Sequence, residues 1–413
     1  MRTHRPAGCL LLALTAALAG CGGSGTNATT SDGIPGRPLV VYSDLPLDSP
    51  AALDMSSMEL GEQLALHQAG GRAAGFRVTL DSNNDTNAAG TWSPGATAQT
   101  AAAASADSDV VAYIGDFDSG ATATSLPTTN DAGILQVSPW SPYLGLTDQN
   151  PVDDRGDPVR FYPSGHNTFA RLVPSDAVQA QGMVTYMRSL GVTRLYVLED
   201  VSDPFDADVA ELIANDAQPS ITVVGQQPFD TETNTAPQGY AALAATIAAT
   251  RADAVVLGGR PGPGAQALWS ELHSVLKHAK LFAPSTLATP AFLSGLGDAA
   301  SATYVTSPIL ELRQYPRAGR RVLAAYRRRY GLAPTPYALY GYDAMRMVLA
   351  AIERAHSRSR AAVRSAFFHL PEMRRALGDY RIYADGDTSL DLLDGYTVNA
   401  AGQLVFRERI PAG

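Results

Sequence analysis

Side chains able to do covalent or metal chemistry are few in this 413-residue chain, and they are scattered. The seven histidines are His4, His67, His166, His273, His278, His356 and His369. No pair has the HExxH spacing that sets two imidazoles on one helix face for zinc, and none joins a cysteine. His273 and His278 are five apart, which takes them off a common face. There is no GxSxG elbow to expose a serine nucleophile. Gly258 to Gly264 reads GGRPGPG, which has neither the GxGxxG order nor the lysine of a phosphate-binding loop. Asp153 and Asp154 sit in a polar loop and read as solvated. No metal, cofactor or catalytic set is therefore expected. A hydrolase using Asp116 or Asp118 as base is the enzymatic alternative, and it lacks a nucleophile–base pair.

The remaining polar residues suit the holding of a ligand, and short apolar runs place them. Strands are predicted at 39–43, 76–80, 109–114, 133–138, 194–198, 221–226, 254–257 and 281–283. Helical patterns lie between them at 58–69, 97–106, 119–130, 176–190, 206–216, 239–250 and 265–276. Apolar strands separated by helices imply α/β architecture, with parallel sheets covered on both faces. In such sheets ligands collect beyond the carboxyl ends of strands, beside helix N-termini. That selects Gly115 to Ser119, Pro139 to Tyr143, Asp200 to Phe205, Gly258 to Gly264 and Pro284 to Thr286. The Pro/Gly/Asn-rich stretch near 140–170 breaks the alternation and reads as an elaborated loop before a crossing between two lobes.

Both cysteines lie in the first 21 residues, MRTHRPAGCLLLALTAALAGC. Arg2 and Arg5 precede the short apolar run 9–18, which is the pattern of a secretory leader. Leu18-Ala19-Gly20-Cys21 resembles a bacterial lipobox, which implies a signal peptide over 1–20 and lipidation of Cys21. The mature chain would then hold no thiol and no disulfide, and it would be held stably at a membrane surface on the extracytoplasmic side. Residues 21–36, rich in Gly, Ser and Thr, read as a flexible tether. The full chain is 45% hydrophobic and 17% charged with net charge −9, and it shows no basic run of the kind nucleic acids require.

Tyr113 to Pro139 (YIGDFDSGATATSLPTTNDAGILQVSP), Phe169 to Met187 (FARLVPSDAVQAQGMVTYM), Ala252 to Gly259 (ADAVVLGG) and Tyr340 to Ala355 (YGYDAMRMVLAAIERA) appear in that order. Together they resemble the leucine/isoleucine/valine-binding family of type I periplasmic solute-binding proteins. The resemblance implies two doubly wound α/β lobes joined by crossings near 172, 306 and 390. Lobe one would hold 37–171 and 307–390, and lobe two 172–306 and 391–413. It also implies a monomer that closes on a small molecule and delivers it to the membrane subunits of an ABC permease; a sensing receptor of the same fold is the alternative.

The strand-end positions and the resemblance together give as ligand residues Asp118, Ser119, Gly120, Trp140, Ser141 and Tyr143 from lobe one, with Phe205, Arg260 and Ser285 from lobe two. Hydroxyls and helix-start N–H groups would hold a carboxylate. Trp140 stands where the family has a small residue, Arg260 where it often has an aromatic, and Ser285 where it often has an ammonium-binding acid. These departures widen the expected ligand from a branched-chain amino acid to an amino acid, amide or carboxylate. Arg260 favours an anionic group, while Asp116, Asp118 and Asp203 remain able to serve an amine.

Overall fold

A computed structural model describes residues 36–151, 155–202, 205, 208–233, 237–260 and 263–412. The leader, Cys21, residues 21–35 of the tether and Asp203 lie outside the described residues.

The first sheet begins with β1 (Leu39–Leu45), whose run LVVYSDL is buried at alternate positions and at its end. It is followed by α1 (Ala52–Gln68), the short β2 (Arg72–Ala73), β3 (Phe76–Asn84), α2 (Pro94–Ala106), β4 (Val110–Ile114), α3 (Ser119–Asp131), β5 (Leu135–Ser138) and β6 (Phe169–Arg171). The strand order is β2-β3-β1-β4-β5-β6, parallel except for the β2–β3 pair. Every residue of VVAYI in β4 is buried, as expected of a central strand covered on both faces.

The second sheet takes up the chain after residue 172. Its elements are α4 (Asp176–Ser189), β7 (Arg194–Asp200), α5 (Asp208–Ala217), β8 (Thr222–Phe229), α6 (Pro237–Ala249), β9 (Ala254–Gly258), α7 (Pro263–Val275), β10 (Lys280–Ala283), α8 (Pro290–Ser294) and β11 (Thr303–Ser307). The chain then returns to the first lobe as α9 (Arg317–Tyr330), α10 (Tyr337–Ala355), α11 (Arg360–Phe368) and the small hairpin β12 (Met373–Arg374) and β13 (Asp379–Tyr380). It finishes in the second sheet with β14 (Leu392–Val398) and β15 (Leu404–Pro411). The order there is β15-β14-β11-β10-β9-β7-β8. The β11–β14 and β14–β15 pairs are antiparallel, so this sheet is mixed rather than wholly parallel. The strand-and-helix alternation marks neither pair, because their sequences lie beyond its last turn.

In the first lobe, α10 packs against α1 at backbone contact. A Cβ built on Gly341 would stand 2.1 Å from the Met58 carbonyl oxygen, and one on Gly61 2.1 Å from that of Ala338. Around this crossing, Met55, Met58, Leu64, Leu339, Met345 and Val348 pack with Leu39, Val41 and Ile114 of the sheet. The second lobe has a core on each sheet face, one around Trp269 and Leu281, the other around Tyr186 and Val197. The three passages between sheets converge on a cavity of about 110 Å³ bordered by Pro174, Pro308, Leu310, Tyr340, Leu390 and Asp391.

Candidate functional site

The carboxyl ends of the two sheets face one another, and the turns there carry the polar groups. In the first lobe, β4 is followed by the turn Gly115-Asp116-Phe117-Asp118, which opens directly into α3, whose first residue is Ser119. Asp118 is the N-cap residue, yet its side chain makes no capping bond. Its carboxylate instead forms an ion pair with the Arg260 guanidinium of the second lobe. Ser119 is 5% exposed, and its Oγ accepts from the Tyr143 N–H at 3.3 Å, which leaves its proton able to donate. Gly120 fits closely between the lobes: a Cβ there would lie 3.2 Å from the Trp92 ring and 3.4 Å from Phe205. Phe205 meets Tyr143 edge to face with ring centres 5.2 Å apart.

Arg260 is held by a carboxylate that the sequence does not single out on its own. Asp200, fully buried at the end of β7, accepts at Oδ1 from Ser202 N (3.1 Å) and Oγ (2.7 Å) and from Thr231 N (3.2 Å). Its Oδ2 accepts from Thr231 Oγ1 (2.8 Å) and from Arg260 N (3.2 Å). Gly259 has φ +147°, and a Cβ there would sit 2.1 Å from that of Asp200. Only glycine lets the strand end pass so near the carboxylate, so the Gly-Gly pair of the sequence serves to aim Arg260 at the gap.

Other expected ligand residues are placed differently. Trp140, expected to wall the cleft, is 5% exposed and stacks on Phe117 at 5.7 Å, with Tyr337 at 5.3 Å and Tyr340 at 5.5 Å. It belongs to the first lobe's core, because α10 supplies aromatic partners that the local sequence cannot show. Ser141 is fully buried; its Oγ lies 2.6 Å from Thr122 Oγ1 and donates to the Asp116 carbonyl at 3.0 Å. The hydroxyl thus ties two turns of one lobe together. Tyr143 is buried too, with its hydroxyl donating to Asp157. Ser285 donates to Gln179 at 3.0 Å within the second lobe. Asp116, named as a possible base, is fully buried and receives bonds from Tyr113 (2.8 Å), Ser125 and Gln136 (3.3 Å), which suits a structural role.

Beneath Asp118 lies an unexpected acidic floor. Asp44, Asp85 and Asp116, at the ends of three adjacent strands, are all fully buried. The Tyr113 hydroxyl lies 3.0 Å from Asp44 and 2.8 Å from Asp116. One phenolic proton shared between two buried carboxylates stabilises the pair poorly, which favours a proton on one of the acids. Among the described residues, neither side-chain oxygen of Asp85 has a hydrogen-bond partner apart from its own backbone N–H. Burial first, then the charges of Asp116 and Asp118, pushes its carboxyl up to about 8. Burial and then Asp85 push Asp44 up to about 7. Desolvation, then Asp44, raises Asp116 well above the usual carboxylate range. The 85–93 loop carries no motif, and only its acid following a strand end hints at this arrangement.

The segment after Tyr143 also reaches across. Asn150 donates to Asp208, at the start of α5 in the second lobe, and Arg155 lies 3.7 Å from the same carboxylate. The expected elaborated loop therefore contains two short 3₁₀ turns, at 144–146 and 159–161, and spans both lobes.

The model of a family described as periplasmic binding protein matches residues 45–393. No curated protein sequence matches the chain. Among solved structures, an ABC transporter substrate-binding protein from Desulfitobacterium hafniense in complex with Leu superposes with TM-score 0.73 at 20% identity, covering 90% of this chain and all of that one. A leucine-binding protein from Thermotoga maritima gives TM-score 0.72 at 19% identity, with 90% and 99% coverage. A solute-binding protein from R. palustris in complex with benzoate gives 0.69 at 15% identity, with 91% and 98% coverage. At these identities the likeness speaks for the fold, while the family match spans most of the chain: two lobes, facing strand ends and matched segments together make this chain a member of the periplasmic binding protein family.

Proposed function

We propose that the protein is the substrate-binding component of an ABC-type importer, tethered through lipidated Cys21 to the outer face of the cell membrane. It closes on a small polar ligand carrying a carboxylate, with an amino acid as the best fit. The carrying observation is the ion pair between Asp118 of one lobe and Arg260 of the other. A zwitterion presents both charges that this pair joins: its carboxylate suits Arg260 and the start of α3 at Ser119, and its ammonium suits Asp118. Phe205 lies over Gly120 at the start of α3 and meets the Tyr143 ring, adding apolar surface between the lobes. The ligand-bound relatives support the same reading: one is described with Leu and another with benzoate, both carboxylates. Binding would favour the closed arrangement of the lobes because both contribute contacts to the same molecule.

The test is a thermal-shift screen of the purified protein against amino acids, carboxylates, amides and urea-like compounds. A ligand at a hundred times its Kd stabilises by about 2.7 kcal/mol. Ser119→Ala and Arg260→Ala should reduce the shift while leaving the unliganded protein folded; a full shift in both variants removes the assigned site. Replacing Cys21 by Ser should release the protein from membranes, and continued retention overturns the anchor.

A further inference from the structure

The chain carries net charge −9, yet α9 holds six arginines and no acid in its 14 residues, RAGRRVLAAYRRRY. The distribution around the helix is one-sided. Gly319, Val322, Leu323 and Tyr326 face the core. Arg317, Arg320, Arg321, Arg327 and Arg328, spaced at three, four and seven residues, share the opposite side, and all are exposed. Among the described residues no carboxylate pairs with any of these five; the nearest such pair is Arg313 with Glu311 at 3.7 Å, just before the helix. The helix C-terminus favours the cations of its last turn, but like charges three and four apart on the earlier turns repel modestly, which an anionic partner would relieve. The helix is also bracketed by two apolar side chains left in solvent, Leu312 at 36% and Leu332 at 55% exposure. Cationic rows between exposed leucines suit a surface that is anionic at its face and apolar just below, which is an anionic lipid bilayer.

We infer that the outer face of α9 docks on anionic lipid headgroups of the membrane to which the protein is tethered. This rests on the anchor proposed above. The 15 residues from Cys21 to the first described residue, Gly36, reach about 50 Å at most. An anchored body therefore stays within about 50 Å of the bilayer, and docking becomes an intramolecular event at high effective concentration. Each arginine near an anionic surface contributes about 1 kcal/mol, a factor of about five in the docked-to-free ratio. The contact weakens with salt, because the Debye length falls to about 3 Å at 1 M.

The experiment uses the full acylated protein carrying Leu332→Cys labelled with an environment-sensitive dye, added to vesicles of phosphatidylcholine alone or with 30% phosphatidylglycerol. Co-flotation with the neutral vesicles reports the anchor separately from the dye. Docking predicts a blue shift on the anionic vesicles only, reversed by 1 M salt. Arg317→Gln with Arg321→Gln and Arg328→Gln should lower the docked-to-free ratio on the order of a hundred-fold, with unchanged thermal melting. A dye response equal on both lipids, or undiminished in the triple variant, overturns the inference. A response to polyglutamate without one to the anionic vesicles would assign the face to an acidic protein and overturn it as well.

Discussion

Raising the pH from 5.5 to 7.5 should cost this protein stability through Asp85. The side chain is fully buried, no other described residue donates a hydrogen bond to it, and its carboxyl is pushed up to about 8 by burial and then by Asp116 and Asp118. In the unfolded chain the same carboxyl releases its proton near pH 4. Between those values the folded state holds one more proton than the unfolded state. Stability from this group is therefore fully present below about pH 4, falls as pH rises, and levels off above about 8. The slope is about 1.4 kcal/mol per pH unit for one proton, so the interval from 5.5 to 7.5 removes about 3 kcal/mol. Asp85→Asn keeps the shape and removes the titration. Urea unfolding of both proteins, followed by tryptophan fluorescence at the two pH values, measures the difference. The wild type should lose about 3 kcal/mol more than the variant, and the variant should be the more stable at pH 7.5. Equal losses in the two proteins would refute the buried proton at Asp85.

Two further outcomes bear on the first lobe. Gly341→Val puts branched bulk against the Met58 carbonyl, where even a Cβ would be 2.1 Å from the oxygen; overpacking of this kind costs about 1–3 kcal/mol or more, visible as a lowered unfolding midpoint in urea. Trp140→Ala should destabilise the same lobe by about 3–5 kcal/mol, the usual loss for a buried aromatic, yet leave the affinity of the folded protein for its ligand within a few-fold by calorimetry; a large loss of affinity with intact stability would put the indole back in the cleft.

The elements set by local pattern were readable from the sequence. The apolar run of β4 and the Ala-rich pattern of α2 appear within a residue or a turn of their observed bounds. The position of Ser119 and Arg260 beyond strand ends was readable, because open α/β sheets turn there into loops and helix starts. What the sequence could not disclose depends on partners far along the chain. Trp140 reads as a turn residue until Tyr337 and Tyr340 close over it, some two hundred positions later. Asp118 and Arg260 are each visible, but their meeting across the gap is a property of two lobes together. Asp85 carries no signal beyond its place after the end of β3, since its unusual state comes from the neighbouring strand ends.

The order of strands in the second sheet has a consequence for how the molecule is made. Strand β11 borders on β14, which follows it only after the whole return passage through α9, α10 and α11. During synthesis from the N-terminus, the backbone donors and acceptors along one margin of β11 wait uncapped until the final twenty or so residues emerge. The Tyr186 hydroxyl waits with them, since it donates to the carbonyl of Tyr396. The closing ribbon of β14 and β15 is thus a late seal, and a chain cut short before it would leave a sticky seam open to its neighbours.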